Sequence, residues 1–229
     1  MIENNLQAVH QRIAAACAAA GRAPAQVRLL AVSKTFPSAA VRDALDAGQR
    51  ELGENYIQEA VAKMAELDGA KATWHCIGPI QGNKTRLVAE HFDWAQSVDR
   101  LKIAQRLNDQ RPAHLPPLQV CIQVNTDGGP TKAGVTPQDL PELAHAIMQL
   151  PRLCLRGLMT IPEPSPDFAS ACALHARARV LFDDLNAQGL ALDTLSMGMS
   201  ADLEAAIHAG STMVRVGTAI FGDRKRVAV

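Results

Sequence analysis

The chain has 229 residues, 48% apolar, 20% charged and 3% aromatic, with 23 Lys and Arg balancing 23 Asp and Glu. That balance supplies no field for nucleic acid or anionic lipid, and the few aromatics supply no stacking platform for single strands. The N-terminus MIENNLQAVHQRI lacks the basic and apolar parts of a leader, and no later run approaches the ~20 apolar residues of a membrane span.

Leu6, Val9, Ile13, Cys17 and Ala20 recur at helical spacing, and Gly21 stands where a C′ glycine ends a helix. RLLAVSK reads as a strand ending on Lys34, followed by Pro37-Ser38 and the helical stripe Val41, Ala44 and Leu45 up to Gly48. A brief strand at Arg50 to Leu52 feeds a helix with Ile57, Ala60, Val61 and Met64 on one face. WHCIG leads into a helix from Asn83, and DWAQSV into one capped by Asp99. QVCIQVN precedes a helix opened by Thr136-Pro137 with the stripe Leu140, Leu143, Ala144 and Ile147. LCLRGLMTI is a strand, and a long helix follows Pro166 to near Gly189. TLSMGMS and MVRVG are the last strands, separated by a helix bearing Leu203, Ala206 and Ile207.

Eight strands alternating with helices predict an α/β fold, a single (β/α)8 barrel with an extra N-terminal helix, over one domain, 1–229. A doubly wound open sheet is the alternative, since periodicity does not say whether a sheet closes. Cys17, Cys76, Cys121, Cys154 and Cys172 are odd in number and form no CxxC pair, so they read as buried thiols and the chain as cytoplasmic.

A barrel places its chemistry at the C-terminal ends of its strands. Lys34 shares the alternating face of Leu30 and Val32, which would carry its amine to the barrel mouth, where burial favours the neutral, nucleophilic form. A solvated strand-end lysine has the same spacing. Ser200 in SMGMSADLEAAI and Gly217 and Thr218 in VRVGTAIFG follow the last two strands, the common place for a phosphate site in a barrel. An N-cap at Ser200 and a tight turn at Gly217 account for those residues equally well, and Asp202 in the first helical turn would oppose an anion. Arg215 within a strand points into the barrel or forms a structural ion pair. Asn55 in GENY is a mouth residue or a helix cap, and His75 in WHCIG a ligand or a core histidine. Lys132 stands near the tip of the loop Thr126 to Gly134. No cluster has metal-ligand spacing, so no metal is expected.

LLAVSKTFP, AGQRELGENYIQE, WHCIGPIQGNK, LRGLMTIP, LSMGMSADLEAAI and GSTMVRVGTAIFG together resemble the pyridoxal phosphate homeostasis protein family, also called the YggS or proline-synthase-co-transcribed family, over essentially the whole chain. The resemblance implies the fold of the alanine racemase N-terminal domain without that enzyme's second domain. It implies pyridoxal 5′-phosphate as cofactor, held as an internal aldimine on Lys34, with the phosphate on Ser200, Gly217 and Thr218 and the pyridine nitrogen facing Arg215. Asn55 joins them as a cofactor-binding candidate. Ala201, where many members have Asp, and Gly82, where bacterial members often have Ser, depart from the family pattern.

The resemblance implies a role in intracellular pyridoxal phosphate balance: a carrier or buffer, expected as a monomer, with apo forms of pyridoxal phosphate enzymes as candidate recipients and no established turnover. A racemase is the alternative. It needs an acid/base on each face of the substrate Cα; Lys34 serves one, and the only tyrosine, Tyr56, lies in the second strand's loop. A cofactor-free Schiff-base aldolase fits the barrel and leaves Arg215 unexplained.

Overall fold

A computed structural model describes residues 1–129 and 133–222; Lys132 lies outside them. The eight strands are β1 (Arg28–Val32), β2 (Glu51–Glu54), β3 (Thr73–Cys76), β4 (Trp94–Val98), β5 (Leu118–Gln123), β6 (Leu153–Met159), β7 (Thr194–Ser196) and β8 (Met213–Val216). They pair in sequence order, all parallel, and β8 returns to β1 with Leu30 opposite Arg215, so the sheet closes. This decides against the open sheet.

The helices are α1 (Ile2–Ala19), α2 (Ser38–Asp46), α3 (Ile57–Glu66), α4 (Thr85–His91), α5 (Leu101–Gln110), α6 (Leu140–Met148), α7 (Phe168–Ala187), α8 (Leu203–His208) and α9 (Thr218–Phe221). α1 buries Leu6, Val9, Ile13 and Cys17 and ends at Gly21, φ +66°, where Arg22 N–H reaches Cys17 O and Gly21 N–H reaches Ala18 O. The left-handed residue lets two terminal carbonyls find donors, as the glycine's place predicts.

The period of two along the strands sorts the core. Leu29 and Ala31 of β1 and Val214 and Val216 of β8 pack outward against the helices, whereas Leu30, Val32, Ile77 and Met213 form an inner cluster. Trp94, Cys121 and Met159 form a second inner layer. The inward set therefore also takes His75 of β3, Gln96 of β4, Ser196 of β7 and Arg215 of β8; His75, Ser196 and Arg215 alternate with outward apolar neighbours.

Several expected boundaries move. β1 stops at Val32, so Lys34 lies in the turn after the strand, two residues further along its inward face. β2 runs to Glu54 instead of stopping at Leu52, because its ladder with β3 continues to Cys76. Asn83 sits in a single 3-10 turn, Gly82–Lys84, before α4. Asp99 does not cap α5; Arg100 holds the N-cap position and the Asp99 carboxylate pairs with its guanidinium. α6 starts at Leu140, not at Thr136-Pro137, because the Thr136 hydroxyl and the Asp139 carboxylate bond each other and close a turn first. Ser200 is no N-cap: Asp202 takes that place at α8. Among the described residues no helix is long and apolar enough to cross a membrane, and no group of three His, Cys, Asp or Glu could hold a metal. All five cysteines are free, with Cys17, Cys76 and Cys121 buried.

Candidate functional site

One cavity of about 260 Å3 at the C-terminal mouth of the barrel is lined by Val32, Lys34, Asn55, Ile77, Ile161, Met199, Ser200, Ala201, Arg215, Gly217 and Thr218. The structure thus brings all six candidate residues, Lys34, Asn55, Ser200, Arg215, Gly217 and Thr218, to one place. They come from the ends of β1, β2, β7 and β8.

Arg215 forms the inner wall. It is only 4% exposed, and its Nη1 donates to Ser196 O at 2.7 Å and Ser196 Oγ at 2.8 Å while Nη2 donates to Thr160 O at 2.7 Å. Burial pushes the guanidinium down to about 10, so it remains a cation at neutral pH. Behind it the Ser196 hydroxyl donates to Gln96 Oε1 at 2.7 Å, and Gln96 Nε2 lies 2.9 Å from His75 Nδ1. Burial holds His75 well below its ordinary value, so it is a neutral ring whose Nδ1 accepts from the amide. His75 is therefore a core histidine, part of the chain that orients Arg215, and outside the cavity lining.

The opposite wall is the turn Ser33–Thr35. Lys34 is half-buried there, and Thr35 takes φ +67°. The two loops after β7 and β8 meet with Ser200 Oγ and Thr218 Oγ1 3.4 Å apart. The first loop is held from below. Asp202 accepts Met199 N–H at 2.6 Å through one oxygen and contacts His175 Nε2 at 3.0 Å through the other. Burial raises the Asp202 carboxyl, but the bonds from His175 and Met199 and the charge of Arg215 outweigh it and leave the group below its ordinary value. The carboxylate is thus occupied beneath the loop and does not face the cavity as a first-turn competitor for an anion. From the outside Arg12 of α1 donates to Ser200 O at 3.0 Å and to Glu204.

The sequence reading missed these supporting residues: Ser196, Gln96 and Thr160 behind Arg215, His175 and Arg12 around the Ser200 loop. Ser196 and Gln96 carried a signal, since the period-two face that includes Arg215 also selects them; Thr160, one residue past the end of β6, carried none. His175 and Arg12 lie on helices far away in sequence and carried none. Tyr56 is 54% exposed and lines an adjoining cleft with Glu59 and Lys84, which Asn55 shares with the cavity.

The chain matches the family model described as alanine racemase, N-terminal domain, over residues 4–225. A pyridoxal phosphate homeostasis protein of Pseudomonas aeruginosa is 62% identical over 223 residues, covering 97% of this chain and 96% of the relative. That of Escherichia coli K12 is 54% identical over 226 residues, covering 97% of each. The structure of PipY from Synechococcus elongatus PCC7942 with PLP bound has a TM-score of 0.85 at 40% identity, covering 97% of this chain and 100% of that one. With a closed eight-stranded barrel of this connectivity and identity above half over nearly the full length, the chain belongs to the pyridoxal phosphate homeostasis protein family.

Proposed function

We propose that the chain binds pyridoxal 5′-phosphate at the mouth of its barrel and holds it for use elsewhere, without turning over a substrate. The observation that carries this reading is the convergence of a lysine amine, a buried guanidinium and two adjacent hydroxyls on one small cavity. The fit is chemical. The cofactor has an aldehyde, a ring nitrogen and a phosphate, and the cavity has a primary amine, a fixed N–H donor and a pair of hydroxyls beside Gly217. The binding of PLP by the PipY relative supports it.

Lys34 supplies the amine that takes the aldehyde. Ser200, Gly217 and Thr218 hold the phosphate, and Gly217 also packs its backbone against Val32, where a Cβ would lie 3.2 Å from the carbonyl oxygen. Arg215 donates to the ring nitrogen, and Asn55 borders the ring from the β2 side. When bound, the cofactor supplies an electrophilic carbonyl carbon and a ring that withdraws electrons in proportion to its protonation. Arg215 works against that protonation. Its three bonds to Ser196 and Thr160 fix the fork, it stays charged at neutral pH, and a cation that can only donate disfavours a proton on the nitrogen it faces.

The cavity lining bears on turnover. Lys34 and Arg215 are its titratable residues among the described ones, and Tyr56 lies in the neighbouring cleft. A two-base reaction at a substrate Cα has one candidate base here. The reading is a single-domain carrier or buffer that works as a monomer and donates to apo-enzymes. Borohydride treatment of the loaded protein followed by peptide mapping tests it, together with Cα deuterium exchange of L- and D-alanine in heavy water. The expected result is reduced cofactor on Lys34 and no appreciable exchange. Label on another lysine sinks the site, and rapid exchange lost in Lys34→Ala restores the racemase.

A further inference from the structure

Both residues that flank Lys34 are tied to one buried cluster of charges that the cavity does not include. Lys63 of α3 is 5% exposed, and its Nζ donates to Ser33 O at 2.8 Å and Glu54 Oε1 at 2.8 Å, with Glu59 Oε1 at 2.7 Å. The Ser33 hydroxyl donates to the same Glu54 oxygen at 2.7 Å, and Thr35 N–H donates to Glu59 Oε1 at 2.8 Å. The chain before Lys34 is therefore held through Ser33 and the chain after it through Thr35. Thr35 stands at φ +67°, which a β-branched residue adopts only where its surroundings over-determine it. Glu54 is fully buried at the end of β2 and Lys63 nearly so, and a buried ion pair of this kind is seldom kept for stability, since apolar packing serves as well. What the pair does specify is the path of the turn between β1 and α2.

The geometry points to Lys63 as a positioning residue that, through Glu54, Glu59 and Ser33, presents the Lys34 amine to the cavity and so governs covalent capture of an aldehyde rather than recognition of the ring or phosphate. This rests on the cofactor reading above. The captured step is a condensation: the neutral Lys34 amine and the aldehyde form one C=N bond, the carbonyl oxygen leaves as water, and nothing is oxidised or reduced. Its rate depends on where the amine stands, and misplacement of about 1 Å can cost on the order of a hundredfold.

Two ligands separate capture from recognition. Pyridoxal 5′-phosphate carries the aldehyde; pyridoxine 5′-phosphate has the same ring and phosphate with a hydroxymethyl group in its place. Binding of both is measured on the full chain and on Lys63→Met with Glu54→Gln, a pair chosen so that no carboxylate is left buried against an apolar chain. Circular dichroism checks folding. Capture of the aldehyde should slow tenfold or more, while pyridoxine 5′-phosphate affinity stays within twofold. Glu59→Gln, which loosens the Thr35 side at a half-exposed position, should slow capture less and supplies the same comparison if the double variant does not fold. Equal weakening of both ligands, or capture at the original rate, overturns the role of Lys63. Failure of the unaltered chain to bind either ligand would instead bring down the cofactor reading itself.

Discussion

Ser200→Ala is a clean deletion of one proposed phosphate donor, because the backbone of its loop is held by other groups. Arg12 grips Ser200 O, and Asp202 grips Met199 N–H, so neither anchor uses the Ser200 hydroxyl. A hydrogen bond to a charged acceptor contributes about 1.5–3 kcal/mol. Ser200 is half-buried and Thr218 exposed, so solvent screening places each near the lower end, about 1.5 kcal/mol, or roughly tenfold in affinity. The two oxygens are 3.4 Å apart and hydrogen-bonded to each other, so Ser200→Ala with Thr218→Val should depart from additivity by roughly 0.5 kcal/mol. Titration of the apo-protein with pyridoxal 5′-phosphate and with unphosphorylated pyridoxal, followed by absorbance, reads both effects. The phosphorylated ligand should lose affinity and the unphosphorylated one barely change. Equal losses for the two aldehydes would remove the phosphate from this pair of loops.

Gly157→Ala tests the closure of the barrel on its β6–β7 side. The β5–β6 register shifts between Val120 and Cys121, opposite Gly157, and a Cβ at Gly157 would lie 1.7 Å from Thr194 O, a backbone atom that cannot yield without breaking the ladder. The cost should be on the order of 4 kcal/mol, or roughly 8–16 °C in melting temperature, and a melt shifted by under about 2 °C would show that β6 and β7 do not pack this closely. Asp202→Asn tests the support beneath the Ser200 loop through pH. The carboxyl lies below its ordinary value in the folded protein, so its stabilisation is complete above the unfolded value of 3.8 and is lost as pH falls through the lower folded value. Denaturant unfolding should show Asp202→Asn weaker than the parent at pH 7 and converging with it as pH falls below the depressed folded value; an equal deficit throughout would mean that the carboxylate's charge contributes nothing.

The barrel was legible because its local signals agree. Apolar residues at helical spacing marked α1 and α6, and short strand-forming runs marked β1, β5 and β6, so the number and order of elements followed. Closure followed from the strand count alone, since the β1–β8 pairing joins residues nearly two hundred positions apart through no local signal. Boundaries shifted where a side chain bonds another side chain in place of the backbone. Asp99 turns to Arg100, and Thr136 to Asp139. The lining residues were readable from position at strand ends, but Lys63 was not: it sits on α3 between apolar neighbours, where helical spacing marks a solvated lysine, and its burial depends on Glu54 reaching it from another element.

The three grips on the cavity are held mainly by different side chains. Lys34 is placed by charges on α3 and β2, Arg215 by a polar chain along the barrel axis, and the hydroxyl pair by loops tied to α1 and α7. The axial chain is the costly one. His75, Gln96 and Ser196 are fully or almost fully buried, and His75 stacks on Trp94, whose ring lies 5.0 Å from the Arg28 guanidinium and 5.2 Å from that of Arg156. Apolar side chains there would pack at least as stably. The polar axis therefore makes sense as a mount for Arg215, which must meet a ligand without rotating and without giving up its proton. A donor so fixed withdraws little electron density from a ring nitrogen, which is what the proposed carrier role asks of it.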